Sequence, residues 1–171
     1  MNVRALDGDE ARAAVPALAD VLLDCVAGGA SVSFMADMSR AEAEAFWQSI
    51  AEGVARGERT LLVSQEGDGR ILGTVQVILA TPPNQPHRGE IAKMLVHRAG
   101  RRQGLGAALM RAAEEAGRAA GKSLLTLDTV TDGDGFRLYR RLGWEVAGTV
   151  PEYALWPDGR PCPTTFMWKR V

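Results

Sequence analysis

The run Lys93-Met-Leu-Val-His-Arg-Ala-Gly-Arg-Arg-Gln-Gly-Leu-Gly-Ala-Ala-Leu109 is an apolar strand, a glycine-containing turn and the start of a helix. That junction can hold an anion. The first four N–H groups of a helix have no partner inside it, and the macrodipole places about half a positive charge at that end. Gly104 and Gly106 leave the backbone open to a ligand, and Arg98, Arg101 and Arg102 add positive charge beside the turn. Two nucleotide motifs fail here. In G-x-G-x-x-G/A the last position is Leu109; in G-x-x-x-x-G-K-S/T, ending at Gly121-Lys122-Ser123, the first glycine is replaced by Ala116. The second motif also leads from a helix into a strand, the reverse of the order a nucleotide loop needs.

Three other residues could move protons. Glu90 opens the apolar strand that leads to the glycine turn. Asp128 follows Leu124, Leu125 and Leu127 and precedes Thr129 and Val130, a costly place for a charge without a partner or a purpose. Tyr139 lies beside Leu138 in a helical stretch. Two carboxylates in one cleft raise the pKa of one of them, which suits a general base near neutrality. Each residue also has a structural reading: a solvated strand end for Glu90, a loop-closing hydrogen bond for Asp128, core packing for Tyr139. Cys25 and Cys162 have no C-x-x-C spacing and only His87 and His97 to join them, so no metal site is expected. Both are expected to be ordinary thiols, with Cys162, between two prolines, at the surface.

The elements that must position these residues follow from periodicity. Residues 2–6 read as a strand, and Val15, Leu18, Leu22 and Val26 mark a helix with Pro16 in its first turn and Gly28-Gly29 at its end. Ser39 and Glu42 form a capping box ahead of a helix that buries Phe46, Trp47, Ile50 and Val54. Residues 60–65 and 71–80 flank Glu66-Gly-Asp-Gly-Arg70 as a hairpin. A strand over 90–97 runs into the glycine-turn helix, with Leu105, Ala108, Leu109, Ala112, Ala113 and Ala116 on its apolar face. A strand over 123–130, a short helix over 132–142 with Asp132 as candidate N-cap, and strands over 144–150 and 164–169 complete the chain. The order β, α, α, β, β, β, α, β, α, β, β predicts an α/β fold, a mixed sheet with helices on both faces and its fourth and fifth strands parallel.

The chain has 171 residues, 46% of them apolar, and a net charge of −1, so one domain over 1–171 with a single core is expected. Near-neutral charge argues against nucleic-acid or membrane-surface binding. No apolar run approaches a membrane span and the first ten residues lack a signal-peptide core, so a cytoplasmic protein is expected.

A third phosphate pattern, Q/R-x-x-G-x-G/A after a strand, is met at every position by Arg101-Arg102-Gln103-Gly104-Leu105-Gly106. It resembles the acetyl-CoA pyrophosphate loop of the GCN5-related N-acetyltransferases (GNAT), and Leu138-Tyr-Arg-Arg-Leu-Gly-Trp144 is similar to that family's tyrosine-containing helix. A closer resemblance, to the tabtoxin-resistance acetyltransferases, runs through Gly28–Asp37, His87–Glu90, Leu125–Thr129 and Pro151–Arg160. The resemblance implies a mostly antiparallel GNAT sheet whose fourth strand carries a bulge that splays it from the fifth. It implies acetyl-CoA as co-substrate, with pantetheine on the backbone of Met94, Leu95 and Val96, and pyrophosphate on Arg101, Arg102, Gln103, Gly104, Leu105, Gly106 and Ala107. By the same resemblance Glu90 and Asp128 face the acceptor as base or ammonium-orienting group, and Tyr139 is the acid for the CoA thiolate. Ser31, Phe34, Met35, Tyr153 and Trp156 would line the acceptor pocket. One departure is Asp132, where many relatives carry an asparagine that holds the cofactor.

The implied activity is direct acetyl transfer, in a ternary complex, to a small amine of the amino-acid-like β-lactam toxin or antibiotic type, hence a resistance function. Two other readings stay open: a protein or peptide amine as acceptor, and a non-catalytic CoA-binding module. A homodimer is compatible with either.

Overall fold

Local chemistry sets where the helices begin. Asp7 accepts from the N–H groups of Asp9 and Glu10, at 3.0 and 2.8 Å, and Glu10 accepts in return from the Asp7 N–H, so a capping box starts α1 (Gly8–Ala13). Ala14 ends that helix and begins α2 (Val15–Ala27), with Pro16 in its first turn, where the missing N–H removes no helical bond. α2 is the helix expected from Val15, Leu18, Leu22 and Val26, and α1 is an additional helix ahead of it. Ser39 and Glu42 form the expected second capping box, opening α3 (Arg40–Ala55).

The computed structural model describes residues 2–171. Its strands are β1 (Asn2–Leu6), β2 (Arg59–Gln65), β3 (Ile71–Ile78), β4 (Arg88–Val96), β5 (Leu124–Val130), β6 (Glu145–Leu155) and β7 (Pro161–Arg170). They form one sheet in the order β1-β2-β3-β4-β5-β7-β6, in which β4 and β5 are the parallel pair. A short 3-10 turn, Arg98–Gly100, leads to α4 (Leu105–Ala119), and α5 (Asp134–Arg141) follows β5.

Alternation along the strands feeds two cores. Leu61, Val63 and Leu95 pack with Leu18, Leu22, Trp47 and Ile50 beneath α2 and α3. Leu62, Val75, Ile91, Leu125 and Leu127 pack on the other face with Leu109 and Met110 of α4, Tyr139 of α5 and Trp144. Among the described residues no helix is long and apolar enough to cross a membrane.

Four local expectations are corrected. The buried face of α4 includes Met110, Glu114 and Gly117, while Ala108, Ala112 and Ala116 are half-buried. Glu114 is inside because it is fully paired: Oε1 accepts from Trp144 Nε1 at 2.9 Å, and Oε2 from Lys169 Nζ at 2.7 Å. Gly133, not Asp132, caps α5; Asp132 has φ +58, outside the extended geometry that a cap requires. β6 runs on through Pro151 and Tyr153 to Leu155, with an irregularity between Val150 and Ala154 that lets an edge strand carry proline. β7 starts at Pro161, which places Cys162 inside the strand opposite Ala154 and fully buried rather than at the surface.

Candidate active site

β4 and β5 hold together only at their beginnings. The pairs are Arg88 with Leu124, Gly89 with Leu125 and Glu90 with Thr126; beyond Glu90 the two strands part. The cause lies on the other side of β4. Between the pairs Gln76–Ala92 and Thr74–Leu95, one residue of β3 opposes two of β4, Lys93 and Met94. This is a β-bulge, and Lys93 sits in it with φ +49. It is the splay that the family resemblance implies. The extra residue also reverses the alternation: Ile91 packs toward α4, whereas Leu95, four residues on, packs toward α2 and α3.

The candidate acid–base groups fall on opposite faces around that opening. Ile91, Leu125 and Leu127 point toward α4 and α5, so their strand neighbours Glu90 and Asp128 lie on the opposite face of the sheet, the one that carries α2 and α3. The Glu90 side chain is 42% exposed and lies 3.5 Å from Arg88 Nη1, which also donates to Thr126 Oγ1 at 2.8 Å. Asp128 is exposed and lies opposite Phe166 on β7. Tyr139 is on the α5 side, 6% exposed, with its ring centroid 6.2 Å from that of Trp144. Burial, and then the charge of Asp128, push its phenol well above the usual tyrosine range, so it stays protonated.

The predicted acceptor residues are brought to one rim. Phe34 meets Phe46 of α3 edge to face at 5.1 Å, and Met35 beside it is 40% exposed. Tyr153, 55% exposed, stands on Phe166 at 5.3 Å. Two hydrogen bonds tie the loop after α2 to the end of β6: Ser31 Oγ donates to the Leu155 carbonyl at 2.7 Å, and the Ala36 N–H to the Pro157 carbonyl at 3.1 Å. Ser31 thus serves as a clasp across the rim. Half-buried Trp156 closes the β6–β7 turn, donating its N–H to the Arg160 carbonyl at 2.8 Å.

The glycine turn is open to an anion. Residues 101–104 are exposed, and α4 starts at Gly104 with no side-chain cap, unlike α1 and α3. The two glycines do different work. Gly104 has φ +81 with nothing near its missing Cβ, so it supplies conformation; a Cβ on Gly106 would come within 2.9 Å of Leu138 Cδ2, so it supplies room between α4 and α5. Arg98 is not the free charge that the sequence suggests. Asp24 on α2 holds its backbone N–H at 2.8 Å and its guanidinium in a close ion pair. Burial opposes the Asp24 charge, but the Arg98 hydrogen bonds and the charges of His97 and Arg98 hold its carboxyl below the usual range. Arg101 Nε donates to the Val96 carbonyl at 3.3 Å, which occupies one of the backbone groups assigned to pantetheine. Met94 lies near Gly106, and the edge of β4 from Ile91 onward has no partner on β5.

The acetyltransferase (GNAT) family model matches residues 18–144. The chain belongs to the GNAT acetyltransferase family. Its fold is similar to that of a GNAT superfamily phosphinothricin acetyltransferase from Sinorhizobium meliloti in complex with acetyl-CoA, at 17% identity over 99% of this chain and 88% of that one, TM-score 0.79. A ribosomal-protein-alanine N-acetyltransferase from Brucella melitensis matches at 21% identity over 100% of both chains, TM-score 0.81. A GCN5-related N-acetyltransferase from Kribbella flavida matches at 22% identity over 99% and 97%, TM-score 0.81. At these identities the likeness is one of fold.

Within this GNAT acetyltransferase, two charged residues of the cleft escaped the sequence reading. Asp24 clamps the approach to the glycine turn, and its only signal was an acid in the last turn of a helix. Lys93 is the other. Its ammonium donates to Ser33 Oγ at 3.0 Å and lies 5.9 Å from the ring centroids of both Phe34 and Phe46. Burial lowers its pKa, with the charges of Asp128 and Glu90 acting in the opposite sense. A lysine in the apolar run Glu-Ile-Ala-Lys-Met-Leu-Val was the available signal. Among the described residues no group of three His, Cys, Asp or Glu could hold a metal ion.

Proposed function

We propose that this chain is a single-domain, cytoplasmic N-acetyltransferase that moves acetyl from acetyl-CoA to the amine of a small, amino-acid-like molecule of the toxin or antibiotic type. The observation that carries the reading is the parting of β4 from β5 beyond Glu90, with two carboxylates on one face of the gap and a protonated phenol on the other. The exposed, uncapped start of α4 suits the pyrophosphate, and the free edge of β4 at Met94 and Leu95 suits the pantetheine arm. Likeness in fold to a phosphinothricin acetyltransferase, itself named for a small-molecule acceptor, supports that acceptor class.

The proposed chemistry balances without a covalent enzyme intermediate. An acceptor ammonium loses one proton, through Glu90 or Asp128, to free its lone pair. Nitrogen attacks the thioester carbon, a C–N bond forms and the C–S bond breaks. The amine's second proton is released as the amide forms, and Tyr139 gives one to the departing thiolate before regaining one from solvent.

A thiol-release assay with acetyl-CoA against amino acids, polyamines, antibiotics and short peptides tests the reading. Release with amino-acid-like small amines is expected. Acetyl-CoA binding with no release across the panel would favour a CoA-binding module, and release with peptides alone would move the acceptor to a protein.

A further inference from the structure

We infer that Lys93 is the anion-binding group of the acceptor cleft, so that the acceptor is a zwitterion: an amine that also carries a carboxylate or comparable acid. The inference rests on the proposed acetyl-transfer site and names which end of the acceptor Lys93 holds. The bulge in β4 is what turns this lysine into the cleft. Ordinary alternation from Ile91 would send residue 93 toward α4; the inserted residue places it instead against Ser33, Phe34 and Phe46, on the side of Glu90 and Asp128. That placement requires φ +49, a conformation that disfavours any residue with a Cβ.

Within the protein the ammonium keeps donors free for a ligand. It has three donors, and its one side-chain hydrogen bond goes to the Ser33 hydroxyl. No carboxylate among the described residues is near enough for an ion pair, although Glu90 and Asp128 are near enough to be felt. The two phenyl rings contribute only cation–π attraction. A simple amine or polyamine entering as an ammonium would meet a fixed cation that repels it. A zwitterion presents its ammonium to Glu90 and Asp128 and its acid group to Lys93, and every charge finds its opposite.

The test is equilibrium binding to the CoA-loaded protein by isothermal titration at about pH 6.5, where the probe amines stay protonated. L-leucine and L-phenylalanine are compared with L-leucinamide and L-phenylalaninamide, which lack only the negative charge. The acids should bind about 10- to 100-fold more tightly than the amides, the range of one charge-assisted hydrogen bond. Lys93→Met should abolish that preference by weakening the acids alone, and Lys93→Arg should retain part of it. Lys93→Gln replaces the methionine variant if the latter no longer binds CoA. Equal binding of acid and amide by the wild-type protein, no binding of either, or a preference that survives in the variants would overturn the assignment. An acid preference without thiol release would instead sink the acetyl-transfer reading and leave Lys93 in place.

Discussion

Tyr139→Phe separates packing from chemistry at one position. The side chain is 6% exposed and packs at a tilt against Trp144, so a core role alone would explain its burial. Its phenol is raised by burial and by the charge of Asp128, with no hydrogen bond contributing. Phenylalanine keeps the ring and removes a hydroxyl that has no such bond to lose. Stability should therefore change by less than about 1 kcal/mol, or a few degrees in Tm for a chain of this size. The catalytic effect should be far larger. A general acid contributes about 100- to 10,000-fold, or about 2.7–5.5 kcal/mol of transition-state stabilisation, so kcat should fall by that factor while the acetyl-CoA affinity holds. The assays are steady-state thiol release, isothermal titration and thermal unfolding on one preparation. A raised phenol pKa also means that the wild-type rate shows no loss from Tyr139 ionisation through neutral and mildly alkaline pH. A wild-type kcat in Tyr139→Phe would refute the acid role, and an alkaline limb below about pH 9 that vanishes in the variant would refute the raised pKa.

Glu90→Gln and Asp128→Asn should each retain acetyl-CoA affinity; the base is the one whose loss lowers kcat by about 100-fold or more, and losses under about 10-fold in both would remove the two carboxylates from proton transfer. Gly104→Ala should cost about 1–2 kcal/mol of backbone strain at φ +81 and weaken CoA binding in a titration by roughly 10-fold, with unchanged affinity counting against the turn as an anion site. Gly106→Ala gains about 1 kcal/mol of helix propensity but presses on Leu138, the neighbour of Tyr139, so Tm should move little while kcat drops. Glu114→Ala strands Lys169 and Trp144 Nε1, and chemical unfolding should show a loss of about 3–5 kcal/mol; less than about 1 kcal/mol would mean that the pair is not the staple its geometry suggests.

What the sequence disclosed and what it concealed divide along the range of the interactions. The Ser39–Glu42 box, the Glu66–Arg70 hairpin and the glycine turn are read from neighbours within a few residues, and each stands where expected. Glu114 was invisible because hydrophobic periodicity counts it as polar, and its partners are 30 and 55 residues away. Ser31 could be named for the rim, but the acceptor of its hydroxyl, 124 residues on, could not. The bulge is the deepest case. Nothing in Glu-Ile-Ala-Lys-Met-Leu-Val marks the extra residue; only the family resemblance implied it. Two-residue alternation would have assigned Lys93 to the α4 side, away from the proposed acceptor cleft. The slip of register against β3 both opens the gap beyond Glu90 and carries Lys93 across the sheet. In the proposed site, one backbone irregularity would therefore serve donor and acceptor together: it leaves a strand edge free, which suits the pantetheine arm, and sets a cation on the same face as two carboxylates. A change that restored regular pairing, by deleting one residue between Ala92 and Leu95, would be expected to lose acetyl-CoA affinity and acceptor preference in the same step, and retention of either would separate the two roles.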